Sequence, residues 1–158
     1  MSSFLSRALA TAGGAGYSPI APGTAGTLVA IPVAWFTATL SLHWFLALAT
    51  LVTLIGVWAA NEADRFWGTH DSGRIVIDEV AGYLITVALV DRSSFVALAA
   101  GFILFRLFDI LKPFPIAHVD KYVRSGLGVM LDDVLAGIMA GVCLFLLDYF
   151  ELLQMLTP

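Results

Sequence analysis

The sequence predicts an all-α integral membrane protein, a bundle of about five membrane-embedded helices with a polar site at their cytoplasmic ends. Three observations lead there. Hydrophobic residues make up 59% of the 158 and charged residues 13%, against about 45–50% and about 25% in soluble domains. Mean hydropathy is +0.91. From Ala8 to Asn61, 54 consecutive residues contain no Asp, Glu, Lys or Arg, whereas a soluble domain of this size has to cover itself with polar side chains. The length suits one unit, residues 1–158. High hydrophobicity excludes disorder. The formal net charge of −4 argues against nucleic acid as a partner, since phosphate contacts need a basic face. The single cysteine, Cys143, offers no disulfide framework and no thiolate metal site.

The elements follow in order. Arg7 and the Gly-rich stretch after it do not have the pattern of a cleaved signal. Phe4, Leu5, Ala8 and Leu9 have the spacing of a short amphipathic helix on the membrane surface. A span needs about 20 apolar residues, which predicts helices at Thr27–Leu42, with Pro32 inside it, and at His43–Ala60. Shorter apolar stretches follow at Val80–Val90, extending back through Ile75–Glu79, at Phe95–Leu111 and at Val134–Phe150. The third, even read as Val76–Val90, is about 22 Å long, so Asp78 and Glu79 are expected to face a polar cavity. Asp91–Ser94 reads as a tight polar turn. Lys112-Pro113-Phe114-Pro115 should stop the fourth helix, and Ile116–Leu131 reads as a loop or surface helix with a turn at Gly126-Leu127-Gly128. With the N-terminus inside, Arg7, Arg65, Arg74, Lys112, Lys121 and Arg124 lie on the cytoplasmic side and Arg92 alone on the other, as the positive-inside rule requires.

In this arrangement the ionisable residues converge on one face, where such groups are costly and usually functional. Asp78-Glu79 opens the third helix, Arg106 and Asp109 close the fourth, and Asp132-Asp133 opens the fifth. Acids in a first turn can serve as caps. Two adjacent acids, twice, beside Asp109, form a self-repelling cluster that a hard divalent cation relieves, and Mg²⁺ suits oxygen ligands. Arg106, Asp109 and Lys112 recur at three-residue intervals on one flank. They form either a buried ion pair or a fork-shaped guanidinium plus an ammonium holding a phosphate. Thr24 and Thr27, in Gly23–Thr27, open a helix whose free N–H groups suit an anion. The alternating Gly26, Ala30 and Ala34 serve equally well to bring helices close. His43, His70 and His118 have no evident partner, and Glu62 and Asp64 are reserves.

Taken in order, Gly16–Leu28 (GYSPIAPGTAGTL), Asp71–Gly82 (DSGRIVIDEVAG), Phe105–Ile116 (FRLFDILKPFPI) and Gly126–Gly137 (GLGVMLDDVLAG) resemble the phosphatidylglycerophosphatase A family of bacterial membrane lipid phosphatases. The four blocks are spread over most of the chain. Ser125 precedes Gly126 where that family more often carries a second glycine. The resemblance implies Mg²⁺-dependent hydrolysis of phosphatidylglycerophosphate to phosphatidylglycerol and phosphate at the inner membrane. It marks Asp71, Asp78, Glu79, Arg106, Asp109, Lys112, Asp132 and Asp133.

The expected roles follow from what phosphate-ester hydrolysis needs: charge neutralisation, an in-line nucleophile and a protonated leaving oxygen. Asp78, Glu79, Asp132 and Asp133 are expected to hold Mg²⁺. Arg106 and Lys112, helped by Thr24 and Thr27, are expected to bind the phosphate. The nucleophile is a metal-bound water with Asp109 or Asp71 as base or orienter, or a carboxylate forming an aspartyl-phosphate. The rival function is an ion- or proton-coupled transporter using the same carboxylates. Its usual signs are sequence repeats and a midplane site, and neither is visible here.

Overall fold

The computed structural model describes residues 2–69, 72–123, 125–153 and 155. All regular structure among them is helical. The order is α1 (Ser2–Ala10), a 3₁₀ turn (Ala12–Tyr17), α2 (Pro22–Phe36), α3 (Leu42–Trp67), α4 (Ile77–Thr86), α5 (Phe95–Leu111), α6 (Ile116–Tyr122) and α7 (Gly126–Tyr149). Two helices, α3 and α7, are long and apolar enough to cross a bilayer. At about 1.5 Å per residue, α3 spans about 39 Å and α7 about 36 Å, while α2, α5 and α4 reach about 22, 25 and 15 Å against about 30 Å of hydrocarbon. Of the expected five or so membrane-embedded helices, two among the described residues are thus long and apolar enough to span; α2 is a shorter apolar helix, and α4 and α5 also fall short of the bilayer thickness.

Local chemistry explains the revised bounds. α2 begins at Pro22, where proline's missing N–H costs nothing, five residues before the expected start. It ends at Phe36, four residues after Pro32, and Thr37 closes it by donating its hydroxyl to the Val33 carbonyl at 2.6 Å. α3 runs on through the polar block to Trp67 and stops at Gly68, which is left-handed at φ 64°. α5 has the expected bounds, Phe95–Leu111, with Ser94 capping the amide of Ala97. Gly126-Leu127-Gly128 is the first turn of α7 rather than a loop. Asn61 Oδ1 of α3 accepts from the Gly126 amide at 2.9 Å and so caps the helix from outside.

The core lies where α4 crosses α7. A Cβ at Gly82 would sit 2.6 Å from the Asp133 carbonyl oxygen, and one at Gly137 would sit 3.0 Å from the Gly82 carbonyl carbon and closer still to its oxygen. Only glycine lets the two backbones meet this way. Thr86 Oγ1 then reaches the carbonyls of Gly82 at 3.0 Å and Gly137 at 3.3 Å. Tyr83, Phe105, Leu84, Leu98, Met130 and Leu144 fill the space around this crossing and are fully buried. α2 packs on α4 through Gly26, where a Cβ would meet the Val76 carbonyl oxygen at 2.8 Å, and through the buried Ala30 and Ala34. The small-residue spacing of α2 is therefore used for packing.

At one end of the bundle sit the α2–α3 and α4–α5 connections. Ser93 donates to Asp91 Oδ1 from its hydroxyl (2.7 Å) and its amide (2.9 Å), holding the Asp91 carboxyl below the usual carboxylate range. Arg92 is buried. Its guanidinium bonds the carbonyls of Leu40 (2.7 Å) and Ala88 (3.0 Å) and lies over the Phe45 ring, 4.1 Å from its centroid. The opposite end gathers the start of α2, α4 and α7 and the close of α5.

Candidate active site

Four helix segments bring their polar residues to that opposite end, around a cavity of about 220 Å³. Its lining includes Asp78 and Glu79 of α4, Asp109 of α5 with Lys112 just beyond it, and Asp132 and Asp133 of α7, with Pro22, Gly73, Ile75 and Val129 between them. Six of the eight residues that the sequence resemblance marks thus share one cavity. Arg106 stands against it, with Nη1 2.5 Å from Asp109 Oδ2 and 3.9 Å from Glu79 Oε1. Asp71 falls outside the described residues, so its position is not part of this description.

Each side chain arrives by a local cause. Asp78 and Glu79 stand in the first turn of α4, after Val76, and Asp78 Oδ1 accepts from the Glu79 amide at 3.1 Å. Negative side chains there oppose the helix dipole. Asp132 and Asp133 do not open their helix as expected. α7 begins at Gly126, so they occupy its second turn, and capping gives no account of them. They face inward because the glycine crossing of α4 and α7 sits one turn further on. Lys112 ends α5 in a left-handed conformation, φ 42°. This geometry costs a non-glycine residue energy and is retained where the surroundings demand it. From there its ammonium reaches Asp132 Oδ2 at 2.6 Å.

The carboxylates divide into two groups. Oxygens of Asp78, Glu79 and Asp133 lie within 4.8 Å of one another. All three side chains are mostly buried, and Asp109 lies against Asp133. Among the described residues, Glu79 Oε2 and Asp133 Oδ2 have no hydrogen-bond partner. Buried acids with unanswered lone pairs are costly, and three converging oxygens fit the preference of Mg²⁺ for oxygen ligands. Asp132 belongs instead with Lys112. Of the four expected ligands, Asp78, Glu79 and Asp133 converge, and Asp132 stands beside them in contact with Lys112.

The two threonines lie apart from the cavity wall. Thr27 is fully buried and donates to the Gly23 carbonyl at 2.9 Å inside its own helix, and Thr24 is half-buried. Gly23, in the same segment, stands beside the charges. A Cβ there would lie 3.0 Å from Arg106 Nη1 and would collide with Glu79 Oε1, so the absent side chain is what lets α2 approach them. The reserves are structural. Glu62 pairs with Arg65 at 2.7 Å, and the buried Asp64 accepts from the Ser72 amide (3.1 Å) and the Thr69 hydroxyl (3.3 Å). Asp64 thereby anchors the segment that carries Gly73 and Ile75 to the cavity. A buried acid eight residues before a Ser-Gly pair was the available signal for that anchor. Nothing in the spacing singled out Gly23.

Comparison with known proteins agrees with the sequence resemblance. The family model of Phosphatidylglycerophosphatase A matches residues 8–148. A protein of Escherichia coli (strain K12) named Phosphatidylglycerophosphatase A is 38% identical over 145 residues, covering 91% of this chain and 84% of the relative. One of the same name from Haemophilus influenzae is 39% identical over 148 residues, covering 91% and 89%. A Bacteroides thetaiotaomicron protein named "Putative phosphatidylinositol-3-phosphatase" is 43% identical over 148 residues, covering 86% and 89%. No solved structure matches. None of these relatives carries a transporter's name, and the transport alternative finds no support in them. Matched by the family model over residues 8–148 and by two named members over 91% of its length, this chain belongs to the phosphatidylglycerophosphatase A family and is a phosphatase.

Proposed function

We propose that this phosphatase is Mg²⁺-dependent and hydrolyses phosphatidylglycerophosphate to phosphatidylglycerol and phosphate at the cytoplasmic face of the bacterial inner membrane. One observation carries the reading: the carboxylates of α4 and α7 and the cations Arg106 and Lys112 meet around a single cavity. Such a site can hold a divalent cation on one side and a phosphate dianion on the other. The membrane reading is supported by α3, whose apolar window is only 22% buried within the protein. Leu46, Leu51 and Leu54 stand exposed along it, where a soluble core helix would be covered.

Asp78, Glu79 and Asp133 would hold the Mg²⁺. When bound, the ion would neutralise phosphate charge and act as a Lewis acid. The protein's own groups do the rest. Arg106 grips the phosphate with its guanidinium fork. Lys112 adds an ammonium, exchanging part of its contact with Asp132 for the substrate. Asp109, held by Arg106 on the cavity wall, orients the attacking water and takes its proton as the water oxygen bonds to phosphorus, then passes that proton to the glycerol oxygen released when the ester P–O bond breaks. Asp71 remains an alternative for that role on sequence resemblance alone. Thr24 and Thr27 are proposed to act through the backbone at the start of α2, where Gly23 comes closest to Arg106. The acyl chains stay at membrane depth while the headgroup enters at the interface.

The test is phosphate release from detergent-dispersed phosphatidylglycerophosphate with and without Mg²⁺. Release only with Mg²⁺ is expected, and release in neither condition would overturn the assignment. Phosphatidylinositol 3-phosphate is the comparison substrate, because the name of the Bacteroides relative points to another lipid phosphomonoester. A higher kcat/KM on that lipid would move the substrate assignment while leaving the chemistry in place.

A further inference from the structure

α2 and α5 run antiparallel, and both have their site ends at the cavity, α2 by its start and α5 by its close. Near the cavity they touch, since a Cβ at Gly23 would lie 3.0 Å from Arg106 Nη1. Farther along they leave an open hollow of about 340 Å³ between them. Leu28 and Ile31 of α2 line it on one side and Phe95, Leu98, Phe102 and Ile103 of α5 on the other, with no charged residue in the wall. Leu98 forms a floor, 1% exposed, while Leu28, Ile103 and Phe95 form rims that are 52%, 65% and 72% exposed. The hollow is a groove open along its length to whatever surrounds the protein.

Its placement along the helices is regular. Leu28 is five residues beyond Gly23 and Ile103 three residues before Arg106, so the groove begins about 5–8 Å along the helices from the level of Gly23 and Arg106 at ~1.5 Å per residue. Ile31, Leu98 and Phe95 carry it about 10 Å further away from the charges. One seam therefore holds a cation at one end and a purely apolar trough along the rest. That is the polarity of a lipid phosphate, a dianionic head on a hydrocarbon tail. A partner helix would have no use for the charged end.

We propose that the α2–α5 seam is an acyl-chain site that takes one hydrocarbon tail of the lipid phosphate whose headgroup occupies the cavity. The inference rests on the lipid-phosphatase reading and deepens it. It makes the tail a source of alignment, because a chain laid between Leu28 and Phe102 points its glycerol phosphate at Arg106. Packing a tail against Leu28, Phe102 and Ile103 adds van der Waals contacts that a headgroup alone lacks.

The experiment compares dipalmitoyl with dihexanoyl phosphatidylglycerophosphate in mixed micelles with Mg²⁺, using the full chain. Ala99 lines the groove, so Ala99→Trp fills it, and Ile103→Trp obstructs the exposed rim without entering the core. Either substitution is expected to lower kcat/KM on the dipalmitoyl lipid at least ~10-fold through KM, a loss of about 1.4 kcal/mol of tail packing. The change on the dihexanoyl lipid should stay under ~3-fold. Leu54→Trp, in an exposed stretch of α3, should alter neither. If Ala99→Trp fails to fold, Ile103→Trp decides. Equal losses on both lipids, or no loss on either, overturn the groove while wild-type turnover leaves the phosphatase reading standing. A wild-type protein that cleaves neither lipid takes both down.

Discussion

Arg106 is held between two acids, 2.5 Å from Asp109 and 3.9 Å from Glu79, and this contact answers one question the spacing left open. The ion pair exists, and it also aims a guanidinium at the cavity. The two roles separate experimentally. Arg106→Lys keeps the charge and loses the fork, so hydrolysis should fall by at least ~10², in line with removing a donor that stabilises developing charge. A lysine variant with near-normal turnover would make Arg106 a structural partner of Asp109 alone. Asp133 tests the metal. Like charges about 4 Å apart cost about 4 kcal/mol at an effective dielectric of about 20, so Asp133→Asn relieves repulsion in the metal-free protein. The variant should melt at the wild-type temperature or slightly above without Mg²⁺, lose most of the thermal stabilisation that Mg²⁺ confers, and hydrolyse nothing. A variant that melts lower in both conditions yet still turns over would remove Asp133 from the ligand set.

Among the elements, the α4–α7 pair decides the site. Gly82 and Gly137 put two backbones in contact, and the acids that this contact aligns lie one turn before each glycine, at Asp78 and Asp133. In Gly137→Ala the new methyl meets the Gly82 carbonyl, a backbone atom that cannot rotate away. The helices must then separate. A loss of about 1–3 kcal/mol is expected from the overpacking, read by thermal melting. The Mg²⁺-dependent shift should shrink as well, because the three oxygens no longer converge. A variant with the lower melting temperature but an undiminished Mg²⁺ shift would show that the site tolerates the separation. Arg92 does a different job at the far end. It ties the α2–α3 connection to the end of α4 through the Leu40 and Ala88 carbonyls, a buried cation answered by backbone dipoles.

For the whole molecule, the two ends are chemically unlike. The cavity, Arg106, Lys112 and the aromatic-flanked Arg7 and Arg74 share one end, and Arg92 sits at the other. We propose an orientation with the cavity in the cytoplasm, the one that the positive-inside rule favours. Cysteines placed at Ser72 and Ser125 should therefore be labelled from the cytoplasmic side and one at Ser93 from the opposite side. Labelling of all three from one side would show that the short helices α4 and α5 do not carry the chain across. That outcome would also leave the α2–α5 groove without a bilayer to supply its tail.

Helical class, the uncharged stretch from Ala8 to Asn61 and the acids and lysine that line the cavity were legible in the chain, because apolar composition and ionisable groups within apolar stretches are one-dimensional signals. α5 was legible to the residue, bounded by a serine cap and a Lys-Pro stop. The ends of α2 and α7 were not. Pro22 and Gly126 read locally as loop residues, yet both start helices, Gly126 with its amide held by Asn61 of α3. The division of the acids was also beyond the sequence. Adjacent residues on a helix point about 100° apart, so Asp132 and Asp133 look like one pair when written out and serve different partners when folded. Tertiary structure made that choice: the glycine crossing turned Asp133 toward Asp78 and Glu79, and the left-handed end of α5 brought Lys112 to Asp132. The chain specified which charges would stand within or beside apolar stretches, and only the packing of four helices, through atoms distant in sequence, determined which of them would meet.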